Sequence, residues 1–185
     1  MTRAPVLAVC GIPGSGKTML CHAIQRATKA AVIPYDHYEQ ITQTPPDELA
    51  RWLAKGADFG EIQAPGLAEA IAKAAQRGPV VVDTPLGRAL PECAPLIDHQ
   101  IWLNCSSDLA LSRKLKQMLD FDGSEERLSW VANYLAVYPT TVRPLFRLQR
   151  ERVPGLSEVV LNANQASDVV VQEGVLVAET LFSSR

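Results

Sequence analysis

The chain has 185 residues, 47% of them hydrophobic and 21% charged, and these values are ordinary for one globular domain spanning residues 1–185. A formal net charge of −2 gives no basis for a nucleic-acid partner. No apolar run approaches the roughly 18 residues of a membrane helix, and no signal peptide is recognised. We therefore expect a cytoplasmic protein without a membrane partner, and the sequence leaves its oligomeric state open, a homodimer included.

The amino-terminal part of the chain alternates between strand and helix patterns. The unbroken apolar run 6–10 predicts a central parallel strand that is buried on both faces. A glycine-rich loop follows, and then apolar residues recur at helical spacing: Leu20, Ala23, Ile24 and Ala27. A second short apolar run, 31–33, predicts another strand that ends at Pro34.

The next stretch predicts two helices and a third strand. Thr44 is a candidate N-cap, Pro45 suits the first helical position, and Asp47 completes a capping box. Residues 67–75 carry an apolar face with the i, i+3, i+4 spacing of a helix. The run 80–83 predicts a fully buried strand that ends in an acidic residue.

The carboxyl-terminal half continues the alternation. Residues 101–103 predict a fourth strand, and leucines mark a helix over about 107–120. A long helix through 128–138 is expected to break or kink at Pro139. Residues 158–161 predict a fifth strand.

The tail completes the predicted architecture. Its valine-rich pattern predicts a strand or extended turn at 169–171 and a final helix over 175–182. Five strands that alternate with helices predict a three-layer α/β/α domain with a mainly parallel five-stranded sheet. Ligands bind beyond the carboxyl ends of the strands in such sheets.

The loop 11–18 reads Gly-Ile-Pro-Gly-Ser-Gly-Lys-Thr and fits G-x-x-x-x-G-K-[ST] at every fixed position. Its N–H groups and the positive end of the following helix suit phosphate, so the fold expected is a P-loop NTPase that binds ATP. Lys17 is expected to reach the β- and γ-phosphates, and Thr18 to ligate Mg²⁺. Nucleotide binding is assigned to Gly11, Pro13, Gly14, Ser15, Gly16, Lys17 and Thr18.

Two acidic residues follow predicted strands. Asp83 suits a Walker-B role in holding Mg²⁺, and the alternative is a cap for the next turn. Asp36 suits the general base that accepts the proton of an acceptor hydroxyl, and the alternative is an exposed turn residue. Tyr38 and Arg88 are further candidates for contacting the acceptor.

Two basic stripes lie on the later predicted helices. Arg113 and Lys116 face away from the leucines of their helix. They indicate either a solvated face or a lid, over 107–124, that closes on the phosphates. The second stripe is interpreted as a solvated helix face, and it comprises Arg143, Arg147 and Arg150.

With these motifs the chain resembles the P-loop kinases of the uridine kinase, phosphoribulokinase and pantothenate kinase group. The resemblance is carried by the loop 11–18, Asp36-His37-Tyr38 after the second strand, a lid-like stretch at 107–116 and the stretch 134–161. The resemblance implies that Asp36 is the catalytic base. It also implies that Lys17 and lid cations such as Arg113 assist the transfer of a phosphoryl group from ATP, with Mg²⁺ bound.

The function expected is therefore ATP-dependent phosphorylation of a hydroxyl on a small metabolite, with a nucleoside as one candidate acceptor. Two alternatives stay open at this point. One is a nucleotide-dependent switch or assembly ATPase, although the N-K-x-D motif of GTPases is missing. The other is a protein that binds nucleotide without turnover. Acceptor-stimulated release of ADP distinguishes the three.

Overall fold

In the computed structural model of the chain, the described residues are 3–121 and 124–183. Within them, five strands form one sheet in the order β2-β3-β1-β4-β5, and every neighbouring pair is parallel. The strands are β1 Val6–Cys10, β2 Ala31–Pro34, β3 Val80–Asp83, β4 His99–Asn104 and β5 Val159–Asn162. All five were expected from the sequence, because apolar runs bounded by Gly, Pro or acidic residues are typical of buried parallel strands.

Helices flank this sheet, which confirms the predicted α/β/α P-loop fold class. They are α1 Lys17–Thr28, α2 Pro46–Ala54, α3 Leu67–Ala75, α4 Ser107–Phe121, α5 Glu125–Val137, α6 Arg143–Arg152 and α7 Ser167–Ser183. Helix α1 packs against α7 and against the central strands. No helix in the described ranges is long and apolar enough to cross a bilayer.

The centre of the core is β1, whose five residues are all completely buried. Strands β3 and β4 lie on its two sides. This burial on both faces explains why the sequence of β1 shows no alternation of polar and apolar residues. It also fixes the position of the glycine loop that follows β1, because the loop leaves the middle of the sheet.

The tail differs from the prediction. Residues 167–183 form the single helix α7, with no strand or extended turn at 169–171. Val170, Gly174 and Ala178 are its buried residues, at a spacing of four. A Cβ on Gly174 would lie 2.6 Å from Cδ1 of Leu20 on α1, so close helix packing needs the glycine. Tertiary contact with α1 thus outweighs the strand propensity of consecutive valines.

The start of α2 also differs. The helix begins at Pro46 and not at Pro45, and no side chain caps it, so the capping box through Thr44 and Asp47 is absent. Pro45 has an extended backbone with ψ 141°. The physical reason is that a residue preceding a proline is disfavoured in the helical region, so Pro46 keeps Pro45 outside the helix.

Pro139 acts as predicted. Helix α5 ends at Val137, and a π-helical turn over Tyr138–Val142 leads into α6. Proline has no N–H to donate and its ring displaces the preceding carbonyl. The α-helix is therefore interrupted at this point, and the wider π-helical turn accommodates both effects.

Candidate functional site

The carboxyl edge of the sheet brings the predicted acidic and basic residues together. In the sheet register Asp83 pairs with Val9 on one side and with Pro34 on the other. The glycine loop begins directly after Cys10, the last residue of β1. Asp36 follows Pro34, the last residue of β2, by two residues. The loop and both acidic residues therefore lie at one edge, where α/β sheets bind ligands.

The loop backbone requires glycine at two positions. Gly14 and Gly16 have φ values of +87° and +99°, in the left-handed region that side chains rarely adopt. A Cβ on Gly14 would collide with the carbonyl oxygen of Ala110 in the first turn of α4. Gly16 precedes α1, and no side chain caps that helix. The first N–H groups of α1 are therefore available to an anion.

The remaining loop residues fill its interior. Ser15 is buried, its N–H donates to the Ile12 carbonyl at 3.0 Å, and its hydroxyl has no hydrogen-bond partner. A Cβ on Gly11 would lie 2.5 Å from that hydroxyl oxygen. Pro13 is half-buried. The interior of the loop is thus closely packed.

Lys17 is the cation of this site. It is half-buried, and its Nζ donates a 3.3 Å hydrogen bond to the carbonyl of Ile12. Burial lowers its pKa, and the negative charges of Asp83 and then Asp36 oppose this shift. A phosphate at the loop would remove the cost of burying this charge, so the site is electrostatically prepared for an anion.

Thr18 and Asp83 supply a pair of hard oxygen donors. The Thr18 hydroxyl donates a 2.6 Å hydrogen bond to Oδ2 of Asp83, which is only 9% exposed. Hydroxyl and carboxylate oxygens beside a phosphate site fit Mg²⁺, which takes few protein ligands and completes its shell with water and phosphate oxygens. Across the described residues, no group of three or more His, Cys, Asp or Glu is arranged to hold a metal.

Asp36 and Tyr38 begin the segment beyond β2. Asp36 is exposed in a 3₁₀ turn, Tyr35–His37, and it lies close enough to Lys17 to affect its pKa. Tyr38 is half-buried, with its ring beside Gly66, just before α3. The structure therefore places Asp36 near Lys17 and leaves its side chain exposed.

Arg113 does not point at the phosphate loop. Its guanidinium donates to the carbonyls of Ala163 at 2.9 Å and Gln165 at 3.2 Å, in the loop that follows β5. Lys116 forms an exposed ion pair with Asp120 at 2.5 Å. Closure of 107–124 as a lid stays a prediction, and residues 122 and 123 lie outside the described residues.

Arg88 lies at the opposite end of the sheet from the loop. Its guanidinium donates to the Ile97 and Asp98 carbonyls, just before β4, and pairs with Glu158, just before β5, at 2.6 Å. Burial raises the pKa of Glu158, but hydrogen bonds from Arg88 and from the N–H of Gln100 outweigh this and lower it. The prediction that Arg88 contacts the acceptor disagrees with this position. The groups that Arg88 binds lie at the amino ends of β4 and β5, whereas the phosphate loop lies at the carboxyl edge.

The second arginine stripe is exposed, as the sequence interpretation expected, and it also lines a cavity that this interpretation did not include. A cavity of about 720 Å³ lies beside Asn104 at the carboxyl end of β4 and Ser107 at the start of α4. Its basic lining residues are Arg143, Arg147 and Arg150. Arg150 donates to the Ser107 hydroxyl at 3.2 Å. The i, i+4, i+7 spacing indicated that the three arginines share one helix face. It could not show whether that face also lines a cavity.

A second cavity, of about 320 Å³, lies in the segment between β2 and α3. It is named here the β2–α3 cavity, and its lining residues are Gln40, Ile41, Thr44, Glu48, Leu49, Trp52, Glu61, Ile62 and Gln63. The segment leaves the carboxyl end of β2 and returns to α3, which runs back towards the amino end of β3. The cavity therefore lies on the same side of the sheet as Asp36.

Comparison with known proteins agrees with this architecture. No protein-family model and no curated protein sequence matches the chain. Among solved structures, a gluconokinase from Sinorhizobium meliloti 1021 has a TM-score of 0.55 at 19% identity, with all of both chains covered. A sugar kinase from Janibacter sp. HTCC2649 has a TM-score of 0.58 at 15% identity, covering 98% of this chain and 99% of that one.

A shikimate kinase from Bacteroides thetaiotaomicron has a TM-score of 0.54 at 15% identity, covering 96% of this chain and 97% of its own. These three proteins share the P-loop kinase fold with this chain along nearly its whole length. At such low identity the likeness establishes the fold, whereas the activity must be argued from the site.

Proposed function

We propose that the protein is an ATP-dependent phosphotransferase that transfers the γ-phosphoryl group to a hydroxyl of a small metabolite. The observation that carries the proposal is the Thr18–Asp83 hydrogen bond beside Lys17, with the exposed Asp36 carboxylate at the same sheet edge. A nucleotide site alone needs no second carboxylate facing the phosphates. A kinase needs a group that receives the acceptor proton.

In this mechanism the protein positions charges and performs little covalent chemistry. The loop N–H groups and Lys17 bind the β- and γ-phosphates. Thr18 and Asp83 would hold Mg²⁺, which would supply neutralisation of the phosphate charge. Arg143, Arg147 and Arg150 add positive potential from the large cavity at the same edge.

The transfer step uses the acceptor hydroxyl as nucleophile. Its oxygen forms a bond to the γ-phosphorus, and the bond from that phosphorus to the bridging oxygen of ADP breaks. Asp36 takes the hydroxyl proton as the new bond forms. The products are ADP, the phosphorylated acceptor and a proton, initially on Asp36, that is later released to water.

Arg113 has a different role in this proposal from the phosphate clamp expected of a lid. Its two hydrogen bonds hold the loop after β5 against α4. Helix α4 adjoins the phosphate loop, because a Cβ on Gly14 would meet the Ala110 carbonyl. We infer that Arg113 positions the loop after β5 for the nucleoside part of ATP and assists catalysis indirectly.

The closer relationship to the uridine kinase, phosphoribulokinase and pantothenate kinase group is also a proposal. It is supported by Asp36-His37-Tyr38 directly after β2. The named structural neighbours are a gluconokinase, a sugar kinase and a shikimate kinase. This relationship does not choose the acceptor.

The test is ADP release from Mg-ATP with and without a panel of hydroxyl-bearing metabolites. A kinase releases ADP faster with one acceptor class and yields a phosphorylated product by mass spectrometry. Slow release that no acceptor changes would indicate a switch or assembly ATPase. Binding of Mg-ATP without release would indicate a binding protein, and either result would refute the proposal.

A further inference from the structure

The β2–α3 cavity has a size and position that suit a phosphate acceptor. Its volume of about 320 Å³ is at the lower end of small-molecule sites. Gln40 and Ile41, on its wall, follow Asp36 by four and five residues. The Tyr38 ring lies beside Gly66 and connects the two loops that enclose the cavity.

The charge of this cavity is unusual for a site beside phosphates. Two carboxylates, Glu48 and Glu61, line it, and its lining includes no Arg, Lys or His. Among the described residues neither glutamate has an ion-pair partner, and both are exposed. The charge of each carboxylate is therefore available to a ligand.

An aromatic ring forms part of the same wall. Trp52 is half-buried and stacks with Phe59 at a centroid distance of 6.4 Å, which fixes the plane of its indole. The guanidinium of Arg152 lies over the Phe59 ring, 5.1 Å from its centroid. Carboxylates together with a fixed aromatic face are the groups that recognise an ammonium ion. The same carboxylates would repel an anionic acceptor.

The linings of the two cavities thus differ in charge. Three arginines and one carboxylate, Glu151, line the larger one, beside β4, whereas two glutamates line the β2–α3 cavity. Polyphosphate is expected at the arginines and the loop, since like charge excludes it from the glutamates. A positively charged acceptor would be attracted to the glutamates for the same reason.

We propose that the β2–α3 cavity binds the phosphate acceptor, and that this acceptor carries a protonated amine in addition to its hydroxyl group. The proposal rests on the proposed kinase function and names the substrate class for it. Glu48, Glu61 and the face of Trp52 bind the ammonium group, while Gln40, Thr44 and Gln63 offer hydrogen bonds to hydroxyls. The amine is not altered, and the hydroxyl is phosphorylated as described above.

Two charge-matched series of acceptors test the proposal. Glucosamine, glucose and gluconate share a six-carbon polyol skeleton, and ethanolamine, ethylene glycol and glycolate share two carbons. The amine member of a series should give the highest kcat/KM for acceptor-dependent ADP release, and the carboxylate member the lowest. A neutral or anionic member that outranks the amine would overturn the proposal while leaving the kinase function intact.

Variants then locate the preference in the cavity. Glu48→Gln combined with Glu61→Gln should reduce the preference for amine over neutral acceptor by about tenfold, the scale of losing charge-assisted hydrogen bonds. Glu61→Lys should move the preference towards the carboxylate member. Glu69→Gln on the exposed face of α3 is the matched control and should leave the ranking unchanged. A thermal shift with Mg-ATP verifies that each variant is folded.

An unchanged ranking in the folded double variant would place the acceptor elsewhere and overturn the proposal. If no member of either series binds by calorimetry or stimulates ADP release, the amine assignment is wrong as well. The broader acceptor panel then judges the kinase function separately, because that panel includes acceptors of every charge.

Discussion

The hydroxyl of Thr18 donates a 2.6 Å hydrogen bond to Oδ2 of Asp83 and so joins the first turn of α1 to the end of β3. The two residues are 65 positions apart in the sequence. Their contact shows that the glycine loop and the acidic end of β3 form one site. The predictions below concern the residues around this contact.

Replacing Asp83 with Asn should weaken metal dependence more than nucleotide affinity. The amide keeps a hydrogen-bond acceptor for Thr18, but it removes the charge that attracts a divalent cation. We expect the Mg²⁺ concentration for half-maximal activity to rise and kcat to fall. A titration of activity with Mg²⁺ measures both. A wild-type titration curve for this variant would show that Asp83 only caps the turn.

Replacing Lys17 with Ala should remove most of the stabilisation by Mg-ATP. Wild-type protein with ATP at 100 times its dissociation constant should gain about 2.7 kcal/mol in free energy of unfolding. Among the described residues, the Lys17 side chain donates one hydrogen bond, to the Ile12 carbonyl, so the free variant should remain folded. Thermal unfolding with and without Mg-ATP checks this, with Lys73→Ala on the exposed face of α3 as control. Equal shifts in all three proteins would contradict the assignment.

Binding of Mg-ATP should be coupled to proton uptake at alkaline pH. Burial lowers the pKa of Lys17 in the free protein, and nearby phosphates should raise it again. The complex then holds more protons than the free protein between the two pKa values, so affinity should fall as pH rises through the lower one. Calorimetry in buffers of different ionisation enthalpy measures the uptake. Lys17→Met should abolish it, and uptake that persists in this variant would assign it to another group.

Replacing Asp36 with Asn should lower kcat by about 10²–10⁴-fold, the usual contribution of a general base. The amide preserves shape and removes basicity. Asp36 is exposed and forms no ion pair among the described residues, so Mg-ATP binding should change little. Steady-state kinetics with the true acceptor, together with ATP titration, separate the two effects. Turnover within a few-fold of wild type would make Asp36 an ordinary turn residue.

Replacing Gly14 with Ala should damage the phosphate loop itself. The left-handed φ of +87° costs a side chain about 1–2 kcal/mol, and the new methyl would also collide with the Ala110 carbonyl. We expect a lower melting temperature and strongly reduced ATP binding. Gly78→Ala is the control, because a Cβ there meets nothing within 4 Å. Similar melting temperatures and ATP affinities for the two variants would contradict this packing.

Much of the fold could be predicted because its signals are local. The strands are short apolar runs with sharp ends, and the phosphate loop is eight consecutive residues whose glycines satisfy backbone demands. Asp83 ends β3 and Asp36 follows β2 by two residues, so the rule for parallel sheets was enough to bring them to one edge. The end of α5 near Pro139 was also predictable, because proline lacks the N–H that an α-helix needs.

The rest depended on contacts between distant residues. Arg88 and Arg113 carry the same charge, yet one joins strand ends and the other holds the loop after β5. Nothing within a few residues of either determines which carbonyls its guanidinium meets. The basic stripe from Arg143 to Arg150 likewise became a cavity wall only because α6 faces the start of α4.

The sequence by itself therefore determined the sheet, the phosphate loop and the edge where chemistry takes place, since each is written in neighbouring residues. Only the tertiary structure decided which charges meet there. It paired Thr18 with Asp83, removed Arg88 from the site and placed Glu48 and Glu61 in a cavity without an ion pair to any described residue. Hydrophobic periodicity specifies which face of an element is buried, whereas the partner of a charged side chain is fixed only when separate elements pack together.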